Sequence, residues 1–269
     1  MPALRAATKP AHWVSLVVLA AALLMQVVSN LQNDVGYTVR GGESTGTRTG
    51  LPRATAHGWL KVRAVRNAII LIALVSTALG LLLVLQRGWP VLAIGAASLL
   101  AALAYMGGPR PIAYTPFGEL TVFVFFGLVA VMGTDWVLTG QIGTATAFAS
   151  LAIGALAAAA LAVNNHRDIV HDAEVGRRTF AVVFGAAGSR RLFTALLVLP
   201  FGLLPAIALA SHSPALLLPL LLAPAAWALR RDFLACPGGL AFNAVLFAAF
   251  RLELHFAALL AAGALLSKL

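Results

Sequence analysis

Residues 152–178 read "AIGALAAAALAVNNHRDIVHDAEVGRR", and the stretch changes character at one point. Up to Val163 it holds only Ala, Leu, Ile, Val and a single Gly. From Asn164 onward it carries paired asparagines, Asp168, Asp172, Glu174, two histidines, Arg167, Arg177 and Arg178. The first half lacks the apolar–polar alternation of a membrane β-barrel strand, which leaves a helix as the structure for it. If that helix continues past Asn165, then Asn164, Asp168 and Asp172 recur one turn apart on one face. Two carboxylates and a carboxamide at that spacing offer hard oxygen ligands. Mg²⁺ takes one or two carboxylates together with substrate phosphate oxygens and water. Arg167, Arg177 and Arg178 offer planar donors suited to phosphate. Taken singly, each of these residues is an ordinary charge on a solvated helix end; the ensemble, with its paired Asn, reads as a site.

The same alternation of oil and charge runs through the whole chain. Its 269 residues are 61% hydrophobic and 10% charged, whereas soluble domains are about half apolar and a quarter charged. Apolar runs approach or exceed the roughly 20 residues that a helix needs to cross a bilayer. Eight spans are expected, at 12–32, 68–86, 90–107, 118–138, 143–165, 191–210, 213–229 and 241–266. The fold class is therefore all-α, a polytopic transmembrane helix bundle forming one domain over 1–269. Short breaks such as "QRGWP" (86–90), "LTGQIG" (138–143) and "SHSP" (211–214) separate most spans. The longer connections cover 33–67, 108–117, 166–190 and 230–240. The single Cys236 excludes an internal disulfide and a Cys-rich metal centre.

The net charge of +10 belongs to loops and not to a nucleic-acid face. Arg40, Arg48, Arg53, Lys61, Arg63, Arg66, Arg110, Arg167, Arg177, Arg178, Arg190, Arg191, Arg230 and Arg231 all fall on one side if the spans alternate. Only Arg5, Lys9, Arg87 and Lys268 fall on the other. The basic side is expected to face the cytoplasm, which puts the chain in the inner (cytoplasmic) membrane with its polar loops inward. No obligate protein partner is implied.

A second polar cluster sits on that same side. "SNLQNDVGYTVRGGES", residues 29–44, also ends an apolar run. Asn30 and Asp34 are four apart, Asn33 is adjacent, and Arg40 and Glu43 flank Gly41-Gly42, where backbone can approach a ligand closely. Two helices thus end in Asn and Asp at one mouth of the bundle.

These residues resemble the UbiA superfamily of intramembrane prenyltransferases, and within it the 1,4-dihydroxy-2-naphthoate polyprenyltransferases of menaquinone synthesis. That family has a motif resembling N-N-x-R-D-x-x-x-D-x-x-x-G-K-x-T-L-A-V-R-L-G. Here Asn164-Asn165-His166-Arg167-Asp168 is followed by Asp172, Gly176, Arg177, Thr179 and "AVVFG". The stretch 105–134, with Tyr105, Pro111, Tyr114, Gly118, Glu119 and Phe125-Phe126-Gly127, is similar to the family's central loop and following helix. The resemblance implies that polyprenyl diphosphate binds through Mg²⁺ to the two Asp-rich motifs. Diphosphate leaves, and the allylic carbon alkylates an aromatic acceptor; in the naphthoate branch the ring carboxylate leaves as CO₂. By the same resemblance Asp34, Asp168 and Asp172 are catalytic. Asn33, Asp34, Glu43, Asn164, Asp168 and Asp172 hold metal. Arg53, Arg167, Arg177, Arg178 and Tyr105 bind diphosphate, and Tyr114 and Glu119 bind the acceptor.

Three features depart from the family pattern. Tyr37 stands where an acid is expected, and a further acid is replaced near Gly46; a tyrosine hydroxyl, with pKa near ~10, is a poor Mg²⁺ ligand. "GRR" at 176–178 replaces Gly-Lys-x. The family has nine spans against the eight counted here. The missing one corresponds to its first, so a span upstream of Met1, or a shortened relative, is expected.

Other features divide between roles. Arg251, Glu253 and His255 interrupt the last span and serve either the site or structural pairing. Glu119 is either a helix-dipole partner or an acceptor-side acid. His166 and His171 lack a third partner for zinc. A catalytically silent isoprenoid-binding relative is the competing reading, motivated by Tyr37. A transporter ranks below it, because the polar groups lie at helix ends and not at broken helices near the midplane.

Overall fold

The computed structural model describes residues 12–43 and 49–267; their regular elements are all helices, with no strand among them. Arg5, Lys9, Gly46, Arg48 and Lys268 lie outside the described residues. The elements are α1 (His12–Val39), α2 (Val62–Arg87), α3 (Trp89–Met106), α4 (Gly118–Thr139), α5 (Thr144–Arg167), a short α6 (Ile169–Glu174), α7 (Phe180–Ala210), α8 (Ala223–Ala235) and α9 (Ala241–Leu266). Seven of them, α1 to α5, α7 and α9, are long and apolar enough to cross a membrane. Their outward residues, among them Leu16, Leu71, Leu100 and Phe184, are large, apolar and exposed. That is the surface a bilayer accepts and water does not.

Four expectations shift. The span expected at 213–229 is a 3-10 stretch, Pro214–Leu222, followed by α8. Pro214, Pro219 and Pro224 recur every five residues and remove backbone donors that a continuous α-helix needs. The first span does not stop at residue 32. It runs to Val39, so Asn33, Asp34 and Tyr37 are helical and not on a loop. The sixth span begins at Phe180, eleven residues before the expected 191, and bends at Gly185, whose φ of 69° only glycine adopts readily. The fourth is π-helical over Phe123–Met132.

Helix α5 is the centre of the bundle. Its spanning window is 61% buried, against 11–28% for the other six. The Ala run explains this, because small side chains let neighbouring backbones come close. Backbones come close at Gly127 and Gly154: a Cβ on Gly127 would run into the Ser150 carbonyl, and one on Gly154 would lie 2.6 Å from the Phe123 carbonyl and 3.0 Å from Gly127 Cα. The π-helical part of α4 crosses α5 there. On the other side of α5, Leu156 and Val163 pack with Phe193 and Leu204 of α7, Phe233 of α8 and Phe256 of α9 in the main core. A separate cluster, Val28, Val35, Val65 and Ile69, joins α1 to α2.

Loops sort to two ends. Arg40 reaches the Met106 and Gly108 carbonyls, Arg178 N–H donates to the Tyr114 carbonyl, and Asn243 Nδ2 donates to the Thr49 carbonyl. These bonds gather the 40–43, 49–61, 107–117, 168–179 and 236–240 segments at one end, the one expected to be basic. Arg87 closes the opposite end by donating to the Val137 and Leu138 carbonyls at 2.7 and 2.8 Å.

Candidate active site

A cavity of about 1010 Å³ runs between α1, α2, α3, α4, α5 and α9. Its far end is apolar, with Val18, Leu83, Val91 and Val137; its near end carries Asn33, Asp34, Arg53, Tyr105 and Asn164. The near end is the end where the long loops meet.

The second Asp cluster surrounds this mouth. Helix α5 ends at Arg167, and Asp168 breaks the helical geometry with φ −95° and ψ 15° before α6 resumes. The break is shallow: Asp168 N–H still bonds the Asn164 carbonyl and Asp172 N–H the Asp168 carbonyl. The one-turn spacing of Asn164, Asp168 and Asp172 therefore survives. Both acids are deeply buried and both are paired. Arg167 holds Asp168 with Nε to Oδ1 at 2.8 Å and Nη2 to Oδ2 at 2.6 Å, a bidentate fork. The same guanidinium donates to Asn164 Oδ1 and to Asn243 Oδ1, each at 2.7 Å. Arg177 donates to Asp172 Oδ1 at 2.5 Å, to the Ala113 carbonyl at 3.1 Å and to the Tyr37 hydroxyl. Gly176, at φ 75°, turns the chain so that Arg177 points back into the cluster.

The first cluster lies across from it. Asp34 accepts from the N–H groups of Ala54 and Thr55 at 2.9 and 3.0 Å, and from the Thr55 hydroxyl. The 53–58 turn is thereby fixed against α1. Arg53 stacks on the Tyr37 ring with 3.8 Å from its guanidinium carbon to the ring centroid and stands 3.6 Å from Glu43. Tyr37 is therefore held between Arg53 and Arg177. Gly36 permits this: a Cβ there would sit 2.6 Å from Met106 Cβ, so only glycine lets α1 pack against the end of α3.

Glu119 starts α4 and is buried; it accepts from Asn165 Nδ2 at 2.9 Å. Tyr105 lies beside Gly118, 3.3 Å from where its Cβ would be. Tyr114 lies under Arg40, 5.3 Å from the guanidinium carbon to the ring centroid. Arg178 differs from the rest: its side chain is exposed, and only its N–H joins the loop network. The structure thus brings Asn33, Asp34, Arg53, Tyr105, Asn164, Arg167, Asp168, Asp172 and Arg177 to one mouth, and leaves the Arg178 side chain out. Three participants were not singled out from the sequence: Thr55, Arg40 as a loop clamp, and Asn243. An Asn inside the first turn of an apolar span was the available signal for Asn243; nothing local marks Thr55.

Asp168, Asp172 and Arg177 beside the mouth are buried. Burial pushes the Asp172 carboxyl up to about 6, against the opposing pull of Arg177. Burial disfavours charge on Arg177 too, but Tyr37 and Asp172 beside it outweigh that and hold its pKa above the ordinary guanidinium value. Burial also raises Tyr114. Several acceptor oxygens have no hydrogen-bond partner among the described residues: Asn33 Oδ1, Asp172 Oδ2, Glu119 Oε2 and Asn165 Oδ1. Buried acceptors left unmet are costly, and oxygen-only acceptors of this kind fit a hard cation. No three His, Cys, Asp or Glu side chains among the described residues stand together as a complete metal cage. The donor set therefore suits an ion that completes its shell with ligand phosphate oxygens.

Fold and mouth together define a polytopic membrane protein with an apolar intramembrane cavity that carries Asp34, Arg53 and Asn164 at one end, where Asn164 joins it to the buried Arg167–Asp168 pair. The chain belongs to the UbiA prenyltransferase family, whose model matches residues 2–237. It is 35% identical over 186 residues to the 1,4-dihydroxy-2-naphthoate octaprenyltransferase of Mycobacterium leprae, covering 69% of this chain and 63% of that protein. It is likewise 35% identical over 191 residues to the Escherichia coli octaprenyltransferase of the same name, covering 69% and 62%. The matched region thus spans under two thirds of these relatives' length. The apo structure of a UbiA homologue from Aeropyrum pernix K1 superimposes with a TM-score of 0.70 at 16% identity, covering 95% of this chain and 90% of that one.

Proposed function

We propose that this protein transfers a polyprenyl group from polyprenyl diphosphate to an aromatic acceptor, 1,4-dihydroxy-2-naphthoate, in an Mg²⁺-dependent reaction. The observation that carries the reading is the junction of an apolar cavity of about 1010 Å³ with the Asp–Arg mouth at one end. An isoprenoid tail needs the first and a diphosphate needs the second. The acceptor is taken from the relatives' names and from the sequence resemblance.

Mg²⁺ would be held by Asp168, Asp172 and Asn164 on one side and by Asn33, Asp34 and Glu43 on the other, and when bound it neutralises the diphosphate and favours its departure. The chain's own groups do the rest. Arg167 and Arg177 are paired with Asp168 and Asp172 before ligand arrives, so no member of either pair is buried as a lone charge. Arg53, stacked on Tyr37, presents a third cation at the mouth. Guanidiniums fixed in place stabilise the charge that develops on the leaving oxygens. Ala157, Ala160 and Leu161 of α5 and Phe125 and Phe126 of α4 line the cavity below and exclude water from the allylic carbon. Glu119 and Tyr114 stand beside the mouth as acceptor-side groups. The Asp-bearing helix ends would face the cytoplasm of the inner membrane, on the side rich in Arg.

The test is prenyl transfer by the purified protein in lipid nanodiscs, with labelled polyprenyl diphosphate, Mg²⁺ and either 1,4-dihydroxy-2-naphthoate or 4-hydroxybenzoate. Product from the naphthoate alone is expected. Product from the benzoate alone would overturn the acceptor assignment.

A further inference from the structure

Glu253 is an acid in the middle of a spanning helix. It lies twelve residues from the start of α9 and thirteen from its end. It also lies beyond the stretch, 2–237, that the family model matches. Intramembrane ionisable residues are costly and tend to face a functional cavity. Glu253 does so: it lines the large cavity together with Leu246 and Phe250. Its neighbours Arg251 and His255 are exposed on the other side of α9, as a helix requires of positions two apart.

The charged residues lining this cavity are Asp34, Arg53 and Glu253. Asp34 is bonded to Ala54 and Thr55, and Arg53 to Glu43. Glu253 alone of the three makes no hydrogen bond or ion pair with another described residue. Hydroxyls on the other walls have partners: Thr77 of α2, Ser98 of α3 and Thr121 of α4 bond carbonyls one turn back. A carboxyl with nothing to bond, facing an oily cavity, is expensive unless a ligand completes it.

The geometry indicates which ligand. Asn243 of α9 bonds Arg167 at the mouth, so Glu253, ten residues on, lies about 15 Å deeper at 1.5 Å per residue. Side chains on a helix tilt toward its N-terminus, and the N-terminus of α9 is at the mouth. The Glu253 carboxyl therefore leans from mid-cavity up toward the diphosphate end. A polyprenyl tail has no hydrogen-bonding group to meet it. An aromatic acceptor carrying hydroxyls does, and Phe125, Phe126 and Phe250 supply aromatic walls for its flat ring.

We infer that Glu253 recognises the acceptor: its carboxyl takes the hydrogen bond of a ring hydroxyl, and so selects hydroxylated aromatic acids over their deoxy analogues. The inference rests on the prenyl-transfer reading above. It can be tested without turnover, by measuring the binding of 1,4-dihydroxy-2-naphthoate and of 1-hydroxy-2-naphthoate, which lacks the free 4-hydroxyl, to the purified protein by tryptophan fluorescence, in the absence of diphosphate. The wild type is expected to prefer the dihydroxy ring by about tenfold or more, the range of one buried hydrogen bond to a charged group. Glu253→Leu is expected to lose the preference while binding 1-hydroxy-2-naphthoate as before, and Glu253→Gln to keep part of it. Binding of geranylgeranyl diphosphate with Mg²⁺ should be unchanged in both, which shows that the fold and mouth are intact. A preference undiminished in Glu253→Leu overturns the assignment alone. A wild type that binds geranylgeranyl diphosphate but neither ring overturns the acceptor part of the proposed function as well.

Discussion

Arg177 donates one nitrogen both to the Tyr37 hydroxyl, 140 positions earlier in the chain, and to Asp172 Oδ1. Tyr37 occupies the position where the resemblance leads one to expect an acid. It serves there as a hydrogen-bond acceptor for a guanidinium, which is the role that substitution at this position tests. Tyr37→Phe should therefore leave the half-saturating Mg²⁺ concentration for prenyl transfer unchanged. It should cost about 1–2 kcal/mol of stability through the lost bond to a charged donor, visible in thermal unfolding. Tyr37→Asp adds a carboxylate at the mouth and should lower the half-saturating Mg²⁺ severalfold. An Mg²⁺ requirement raised by Tyr37→Phe would show that the phenol does bind metal.

The Arg167–Asp168 fork is buried on both sides, with side chains 2% and 1% exposed. Removing one partner strands the other. Arg167→Ala should cost about 3–5 kcal/mol, read as a fall in melting temperature or in folded yield. The pair Arg167→Ala with Asp168→Asn should recover part of that loss, because no uncompensated charge remains. Asn243→Ala removes an acceptor of Arg167 and the donor to the Thr49 carbonyl but leaves the ion pair whole, and should cost less, about 1.5–3 kcal/mol.

Much of this was legible in the sequence. The apolar runs placed the spanning helices, and the one-turn spacing of Asn164, Asp168 and Asp172 placed the second half of the mouth. Long-range pairing was not legible. Nothing near Asp34 marks Thr55 as its partner, and nothing near Arg167 points to Asn243, because such bonds depend on which helices become neighbours. The end of α1 misled for a local reason. Asn, Asp and Gly lower helix propensity, so 33–39 read as loop, whereas packing of Gly36 against Met106 keeps it helical. The Pro-spaced 214–222 segment misled in the opposite way, since hydropathy alone does not register missing backbone donors.

Close packing at α4 and α5 gives a third expectation. Gly154→Ala gains helix propensity, about 1 kcal/mol. Yet its Cβ would meet the Phe123 carbonyl at 2.6 Å. Overpacking of that kind costs about 1–3 kcal/mol, and the clash is with backbone, which cannot rotate away. Net destabilisation is expected, measured as a lower melting temperature in detergent. An unchanged or higher value would mean that the two helices separate freely.

The Asp172 carboxyl, raised by burial to about 6, sets a pH dependence. A folded-state value above the ordinary carboxyl value near ~4 means that the folded chain binds this proton more tightly than the unfolded one. Without metal, this group therefore favours the folded state increasingly as pH falls from about 6 to about 4. Metal binding runs the other way, since only the ionised carboxylate is a ligand. The half-saturating Mg²⁺ should be nearly flat above about pH 7 and rise roughly tenfold per unit below about pH 6. Asp172→Asn should show weaker Mg²⁺ dependence without that rise. Mn²⁺ binding followed by electron paramagnetic resonance across this range is the check.

The most direct test of the central claim, that the Asp–Arg mouth and the apolar cavity together carry out prenyl transfer, is single-turnover product formation. Folded wild type would be compared with Asp168→Asn and Asp172→Asn in nanodiscs, with labelled polyprenyl diphosphate, 1,4-dihydroxy-2-naphthoate and Mg²⁺, with and without chelator. Prenylated product and free diphosphate are expected from the wild type, abolished by chelator and reduced by about a hundredfold or more in either variant. Product formed equally by both variants, or no product from folded wild type while it still binds the diphosphate, would contradict the account.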